Sequence, residues 1–187
     1  MSLTIRRAVA ADAAALAVFG AQSFTAAFGH TYTPDNLAAF LAARFTPERQ
    51  HAEIADPDAL MLVACGGTFV GGYLYAAPVD LPIEIADPGA VQINRVYVHP
   101  DHHGGGAARS LMDESLAWAR ARGAREAYLT VAPDNHRAIA FYRRYGFEII
   151  GRYAFIVGDH VDDDRIMRAV IGAGASAQAA HDRVRQA

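Results

Sequence analysis

Between Val91 and Phe147 the chain places three glycines, Gly104, Gly105 and Gly106, behind a strand-like stretch, VQINRVYV, and ahead of a helix-like one, AARSLM. Glycines lack Cβ atoms, so an anionic ligand can come close to their backbone, and a helix that starts there exposes unpaired N–H groups toward it. Strand, cradle of backbone donors and helix start together suit phosphate oxygens, which makes the loop a candidate pyrophosphate site. No Lys-Ser or Lys-Thr follows the glycines, so it is not a nucleotide P-loop, and GGGAAR lacks the third spaced glycine of a dinucleotide fingerprint. An ordinary glycine loop is the alternative. About one secondary-structure unit later, NHRAIAFYRRYGF sets Asn135, Ala138, Phe141 and Tyr142 on neighbouring turns of a short helix. Phe141 and Tyr142 at that spacing also suit a helix that simply buries its aromatic residues.

The elements that must position these motifs can be read along the chain. Leu3 to Val9 alternates as a first strand, and Asp12 is placed to cap an alanine-rich helix carrying Leu16, Phe19, Phe24 and Phe28. Thr33 caps a second helix with Pro34 in its first turn, and Arg49 to Ala55 gives a further helical stretch ended by DPD. ALMLVACGGTFVGGYLYAAP reads as a hairpin turning at Gly66 and Gly67, and Val91 to Val98 as a strand ending before Pro100. A helix from about Gly105 to Arg122 stops at Gly123, AREAYLTVAP forms the next strand, and Asn135 to Tyr145 is a helix stopped by Gly146. FEIIGRYAFIV, a turn at Gly158 to His160 and a run through Met167 make a closing hairpin. This order predicts one α/β (α+β) domain over residues 1–171, a mixed sheet with helices packed on it, followed by an Ala/Gly-rich tail over 172–187.

Composition sets outer limits. The chain has 187 residues, 52% hydrophobic and 20% charged, so it is long enough for one substantial core and is not of disordered type. A net charge of −3 gives no general attraction to nucleic acid or to an anionic membrane, and is compatible with a cationic small substrate. Cys65 is the only cysteine and sits inside MLVAC, which excludes an intrachain disulfide and points to a buried apolar role. The N-terminus shows no signal-peptide pattern and no segment is read as a membrane span, so the expectation is a soluble, cytoplasmic protein. His99, His102 and His103 lack an acidic or sulfur ligand at matching spacing, and no metal is expected.

Taken together, YVHPDHHGGGAARSLM and NHRAIAFYRRYGF resemble the coenzyme-A-binding core of the GCN5-related N-acetyltransferases, which transfer acetyl groups from acetyl-CoA to amines. That family's loop reads Gln or Arg, two residues, Gly, one residue, then Gly or Ala; His103, Gly106 and Ala108 stand at those positions, His103 being a departure. Asn135, Ala138, Phe141, Tyr142, Gly146 and Phe147 match the helix motif. The resemblance runs from TIRRAVAADAAAL to RIMRAV and implies a mixed, mostly antiparallel, twisted sheet flanked by helices. YAFIVGDHVDDDRIM and the paired helices of SFTAAFGHTY and PDNLAAFLAARF are similar to the bacterial spermidine/spermine N-acetyltransferases of the PaiA type, which implies a polyamine or related amine as acceptor.

The resemblance also implies site residues. Backbone groups of Val96, Tyr97 and Val98, with His103, Gly104, Gly105, Gly106, Ala107, Ala108 and Arg109, would hold acetyl-CoA. Asn135 would bond its pantetheine or phosphate portion, and the Tyr142 hydroxyl would lie beside the sulfur and protonate it. A carboxylate base on the central strand or the strand after the glycine helix is missing, since Gln92, Asn94 and Thr130 stand there; Glu84, His99 or a water chain are the candidates in its place. Phe28 and Tyr32, with Glu84, are candidate acceptor-binding residues, against plain packing for the aromatics and a solvated acidic loop for Asp80, Glu84 and Asp87. Asp162, Asp163 and Asp164 read chiefly as turn and edge residues. A non-catalytic acyl-CoA-binding sensor, or an acetyltransferase for protein N-termini, lysines or other small amines, is the competing function. The edge near the closing hairpin offers a place for a second copy to pair as a homodimer.

Overall fold

The computed structural model of the chain describes residues 3–172. Seven strands form one sheet in the order β1-β2-β3-β4-β5-β7-β6. They are β1 (Thr4–Arg7), β2 (Leu60–Gly66), β3 (Phe69–Pro78), β4 (Val91–Val98), β5 (Glu126–Val131), β6 (Glu148–Val157) and β7 (His160–Val170). Every neighbouring pair is antiparallel except β4 with β5. The helices are α1 (Ala13–Phe28), α2 (Pro34–Arg44), α3 (Pro47–Ala55), α4 (Ala107–Ala121) and α5 (His136–Arg143). The expected mixed sheet flanked by helices is therefore present.

Local chemistry explains the helix starts. Thr33 Oγ1 accepts from the Asn36 N–H and Thr46 Oγ1 from the Arg49 N–H, each with proline in the first turn. Asp12 behaves differently from the expected cap. Its carboxylate makes no cap bond to α1; it accepts from Arg6 Nη1 at 2.7 Å and from the Val9 N–H at 2.8 Å, tying β1 to the helix entry.

Apolar residues fill both faces of the sheet. Leu111, Met112 and Leu116 of α4, with Ile139 of α5, pack on Leu74, Ile93, Leu129 and Met167. Leu16 and Phe19 of α1 cover Val63 and Tyr73 on the other face, continued by Phe24, Phe45 and Val157. Gly20, inside α1, is required by close approach: a Cβ there would meet the Phe45 ring at 2.6 Å and the Tyr73 hydroxyl at 2.8 Å. The helical run Ala10–Thr31, with mean hydropathy 1.2, does reach the length and apolarity of a membrane span, contrary to the sequence expectation; its buried Leu16, Phe19 and Phe24 face the sheet. Apart from Gly172, whose N–H donates to Arg125 O, the expected tail lies outside the described residues.

Candidate active site

The site begins where β4 and β5 part. Their parallel pairing consists of Val91 with Ala127, Gln92 with Tyr128 and Ile93 with Leu129, and goes no further. At that point β4 carries one extra residue: Arg95 faces Tyr75 and Ile93 faces Ala76, leaving Asn94 as a bulge. Beyond it, the β4 edge turned toward β5 has no strand partner. The His99 N–H donates to Gly71 O on β3, so alternation directs Tyr97 backbone groups to β3 and those of Val96 and Val98 into the gap. Tyr97 thus faces the site with its side chain and not with its N–H.

The glycine loop closes one end of this gap. Gly104 and Gly106 hold φ of 80° and 87°, values open to glycine and strained for other residues. A Cβ on either would meet nothing within 4 Å, so both backbones face open space. Ser110 is the first residue whose N–H finds a helical carbonyl, Gly106 O at 2.9 Å; the N–H groups of Ala107, Ala108 and Arg109 precede it at the positive end of α4. His103 has a scaffold role. Its Nε2 lies 2.9 Å from Val98 O and its Nδ1 3.0 Å from Arg137 Nη1. Since Arg can only donate, Nδ1 accepts and Nε2–H donates, clasping the loop between β4 and α5.

On α5, Asn135 Oδ1 accepts from the Ala138 N–H at 3.1 Å and caps the helix. Its side-chain NH2 remains as a donor. Burial pushes the Tyr142 hydroxyl up to about 12, so it stays protonated at neutral pH. Burial also raises Tyr97, helped by the nearby phenols of Tyr73, Tyr142 and Tyr32 and opposed by Arg95. Neither the Tyr97 nor the Tyr142 hydroxyl has a hydrogen-bond partner among the described residues, and both residues are only partly buried. They are donors that water still reaches.

The opposite wall is aromatic. Tyr32 stacks on Phe24 at 5.9 Å, Phe28 lies 5.3 Å from Phe24, and Phe40 and Phe155 complete the cluster. Tyr32 donates to Asp162 Oδ2 at 2.5 Å, and His160 Nε2 lies 3.0 Å from Asp162 Oδ1. Behind Tyr97, Arg95 Nη2 meets Glu53 Oε1 at 2.5 Å, and the Tyr75 ring lies 4.6 Å from the guanidinium.

The other candidates fall elsewhere. Glu84 is exposed on the loop before β4, while its neighbours Ile83 and Ile85 pack inward on Tyr128 and Ile166. Asp87, read as part of a solvated loop, is instead buried and accepts from the N–H groups of Gly89, Arg125 and Glu126. Gln92 Oε1 accepts from the Asp80 N–H and so holds that loop. His99 Nδ1 accepts from the Asp101 N–H beside the Phe69 ring.

The model of the acetyltransferase (GNAT) family matches residues 22–147, more than half of the chain. The chain belongs to that family. An uncharacterized N-acetyltransferase of Mycobacterium bovis is 34% identical over 157 residues, covering 83% of this chain and 96% of that protein. Another, from Lactobacillus delbrueckii, is 24% identical over 150 residues, 80% of this chain and 87% of that one. Among solved structures, the PaiA N-acetyltransferase of Thermoplasma acidophilum in complex with coenzyme A superposes with a TM-score of 0.74 at 20% identity, over 91% of this chain and 99% of that one. The YncA protein of Salmonella typhimurium, solved with its cofactor acetyl-CoA, gives 0.61 at 22% identity, over 91% and 95%. At such identities these two show the fold.

An acetyltransferase of this family draws its acetyl group from acetyl-CoA, and the site fits a coenzyme A in one visible respect: unpaired amides at the start of α4 border the open space beside Gly104 and Gly106. Sequence reading overlooked two groups of this acetyltransferase, Arg137 and the Tyr97 phenol, and read Asp164 chiefly as a turn and edge residue. The alternation of VYV could have signalled Tyr97, because it sets Tyr97 on the face opposite Val96 and Val98. Nothing local marks Arg137 as the partner of His103.

Proposed function

We propose that this acetyltransferase acetylates a primary amine of the polyamine class, that residues 1–171 form the catalytic domain, and that it works in the cytoplasm, where a lone buried thiol such as Cys65 is at home. The observation that carries the reading is the parting of β4 from β5 beyond Ile93, directly beside the open amides at the start of α4. That juxtaposition offers one extended molecule both a strand edge and an anion site.

In this reading Gly104, Gly106, Ala107, Ala108 and Arg109 receive the pyrophosphate through backbone N–H groups, while Gly105, whose N–H donates to His102 O, lines the loop without a Cβ and His103 holds it in place. Val96 and Val98 pair with the pantetheine arm, and the Val96 N–H is aimed to polarise the thioester oxygen. Asn135 donates to the arm from its free amide. Coenzyme A supplies an activated acetyl group whose carbon–sulfur bond breaks as the nitrogen–carbon bond forms. Tyr142 donates a hydrogen bond to the departing sulfur, and one proton from the attacking nitrogen ends on that sulfur by way of the hydroxyl. Against a thiol near ~8.5, a phenol raised to about 12 is a persistent donor and a weakly driven acid, less driven than its sequence alone suggested. Phe28 and Tyr32 wall the acceptor side. The exposed β6 edge, with Ile150 and Ile156 outward, is where a second copy would pair.

The test is thiol release from acetyl-CoA against spermidine, spermine, diamines, amino acids and short peptides, with Tyr142→Phe alongside. Turnover on a polyamine, reduced about 100-fold or more in the variant while acetyl-CoA affinity stays within about twofold, is expected. Tight acetyl-CoA binding without turnover on any acceptor would leave a binding module in place of an enzyme.

A further inference from the structure

Carboxylates drawn into this fold come with partners. Asp12 is bonded to Arg6, Glu53 to Arg95, Asp87 to backbone amides, and Glu126 to Tyr128 and Arg168. Asp164 departs from this pattern. It is half-buried, and its side chain makes no hydrogen bond or ion pair among the described residues.

Strand geometry explains why. Along β7, Asp162, Asp164 and Ile166 share the face of their β6 partners Phe155 and Tyr153, whereas Asp163 and Arg165 turn to the other face. The nearest cation is therefore engaged elsewhere: Arg165 Nη1 lies 3.0 Å from Asp163 Oδ2 and donates to Asp163 O. On the same face of β7, His160 is engaged by Asp162 at 3.0 Å, and the other groups that face Asp164 are anionic or neutral. Asp162 stands on its own strand, Asp134 on the connection from β5 to α5, and the Tyr32 and Tyr153 phenols on the segments packed alongside. Burial first, then Asp162 and Asp134, lift its carboxyl to about 6, with Arg165 opposing.

The position is also accessible to an acceptor. Arg165 faces Val131, the last residue of β5, so Asp164 sits just past the end of that strand. Tyr32, the residue that bonds Asp162, is also within electrostatic reach of both Asp164 and Tyr97. The Tyr97 and Tyr142 phenols, half-buried and without a hydrogen-bond partner among the described residues, are further donors that an acceptor could meet.

We propose that Asp164 is the counter-ion for a non-reacting ammonium of the acceptor, held against the Tyr32 and Phe155 rings, and so selects di- and polyamines over monoamines. A nitrogen that attacks must be neutral, whereas three carboxylates keep a neighbouring amine charged. The nitrogen beside Asp164 is therefore not the one acetylated, and a second amine on the same molecule must be. Aromatic faces add cation–π attraction to the same ammonium. This inference rests on the acetyltransferase reading of the site.

The test is calorimetric titration of putrescine and of butylamine into the protein with coenzyme A present at neutral pH, using wild type, Asp164→Asn and, as control, Asp163→Asn on the opposite face. Putrescine should bind wild type at least about tenfold tighter than butylamine, a gap typical of one ion pair shielded from water. Asp164→Asn should abolish that preference and Asp163→Asn should keep it. Equal affinity of wild type for the two amines, or an unchanged preference in Asp164→Asn, overturns the assignment. Asp164→Ser repeats the measurement should Asn disturb the strand. Thiol release separates this assignment from the reading beneath it. Selective putrescine binding without thiol release would sink the transferase reading and keep the ammonium site; equal turnover of both amines by wild type and variant would do the reverse.

Discussion

Tyr32 and Asp162 lie 130 residues apart in the chain and 2.5 Å apart in the fold. Their bond ties the turn before α2 to the closing hairpin, so it has a structural role beside the recognition proposed for this wall. A phenol donating to a carboxylate is worth about 1.5–3 kcal/mol when partly buried. Tyr32→Phe keeps the stacking on Phe24 and should lower the melting temperature by roughly 3–12 °C. Asp162→Asn should cost about as much, and the double variant little more. Fully additive losses would mean that the two side chains do not interact.

Asn135 caps α5 and, in the proposed function, also bonds coenzyme A; two substitutions separate these roles. Asn135→Ala removes the oxygen that caps α5 and should cost about 1 kcal/mol in stability along with coenzyme A affinity. Asn135→Asp keeps a capping oxygen but replaces the free amide with a charged acceptor. Its melting temperature should stay near wild type while its affinity for coenzyme A falls about tenfold or more, as expected for a lost donor and an added like charge. Unchanged affinity in the Asp variant would remove Asn135 from the cofactor site.

Asp87 anchors the loop before β4 to the start of β5. Replacing it with Ala leaves buried N–H groups of Gly89, Arg125 and Glu126 unpaired and should cost about 3 kcal/mol, read by chemical denaturation. The Arg125 N–H in particular holds the Asp87 carboxyl below the usual range. Its contribution is thus complete above the unfolded value near ~3.9 and is lost as pH falls through the lower folded value. Stability of the wild type should drop in that acidic window, and Asp87→Asn should show a smaller drop.

Asp164 predicts the opposite sign. Its folded value of about 6 lies above the unfolded 3.8, so the folded state is favoured at low pH and loses that advantage as pH rises from about 4 to 6. Asp164→Asn should melt higher than wild type at neutral pH, with the difference shrinking toward pH ~4. A variant less stable than wild type at neutral pH would show that the carboxylate has a partner in solution. Putrescine should raise the melting temperature of wild type and leave the variant unmoved.

Patterns confined to neighbouring residues were legible in the sequence. Thr33 precedes proline and caps its helix, β4 spans Val91–Val98, and Gly123 and Gly146 stop α4 and α5 with φ of 86° and 82°, whereas α3 starts at Pro47 behind a Thr46 cap, two residues before the expected Arg49. The glycine loop could be placed because its neighbours were a strand and a helix. What escaped was set by distant partners. Asp12 looks like a cap until Arg6 claims its carboxylate, and Asp87 looks like loop until three amides, two of them from the start of β5 and the residue before it, close around it. The three aspartates of β7 appear alike in sequence. Only their register against β6 sends Asp163 to a pair of arginines and leaves Asp164 with none.

The short seam between β4 and β5 has a further consequence. Strands β1 to β4 precede the glycine loop in the chain and β5 to β7 follow it, and in the sheet these two groups meet at three parallel rungs. A cofactor lying in the gap extends the seam with contacts that the protein itself does not supply, and any ligand that favours the folded state slows its loss. On the proposed placement of the acyl donor, survival of the protein in a cell would be coupled to the supply of that donor: starvation would not only idle the enzyme but shorten its life.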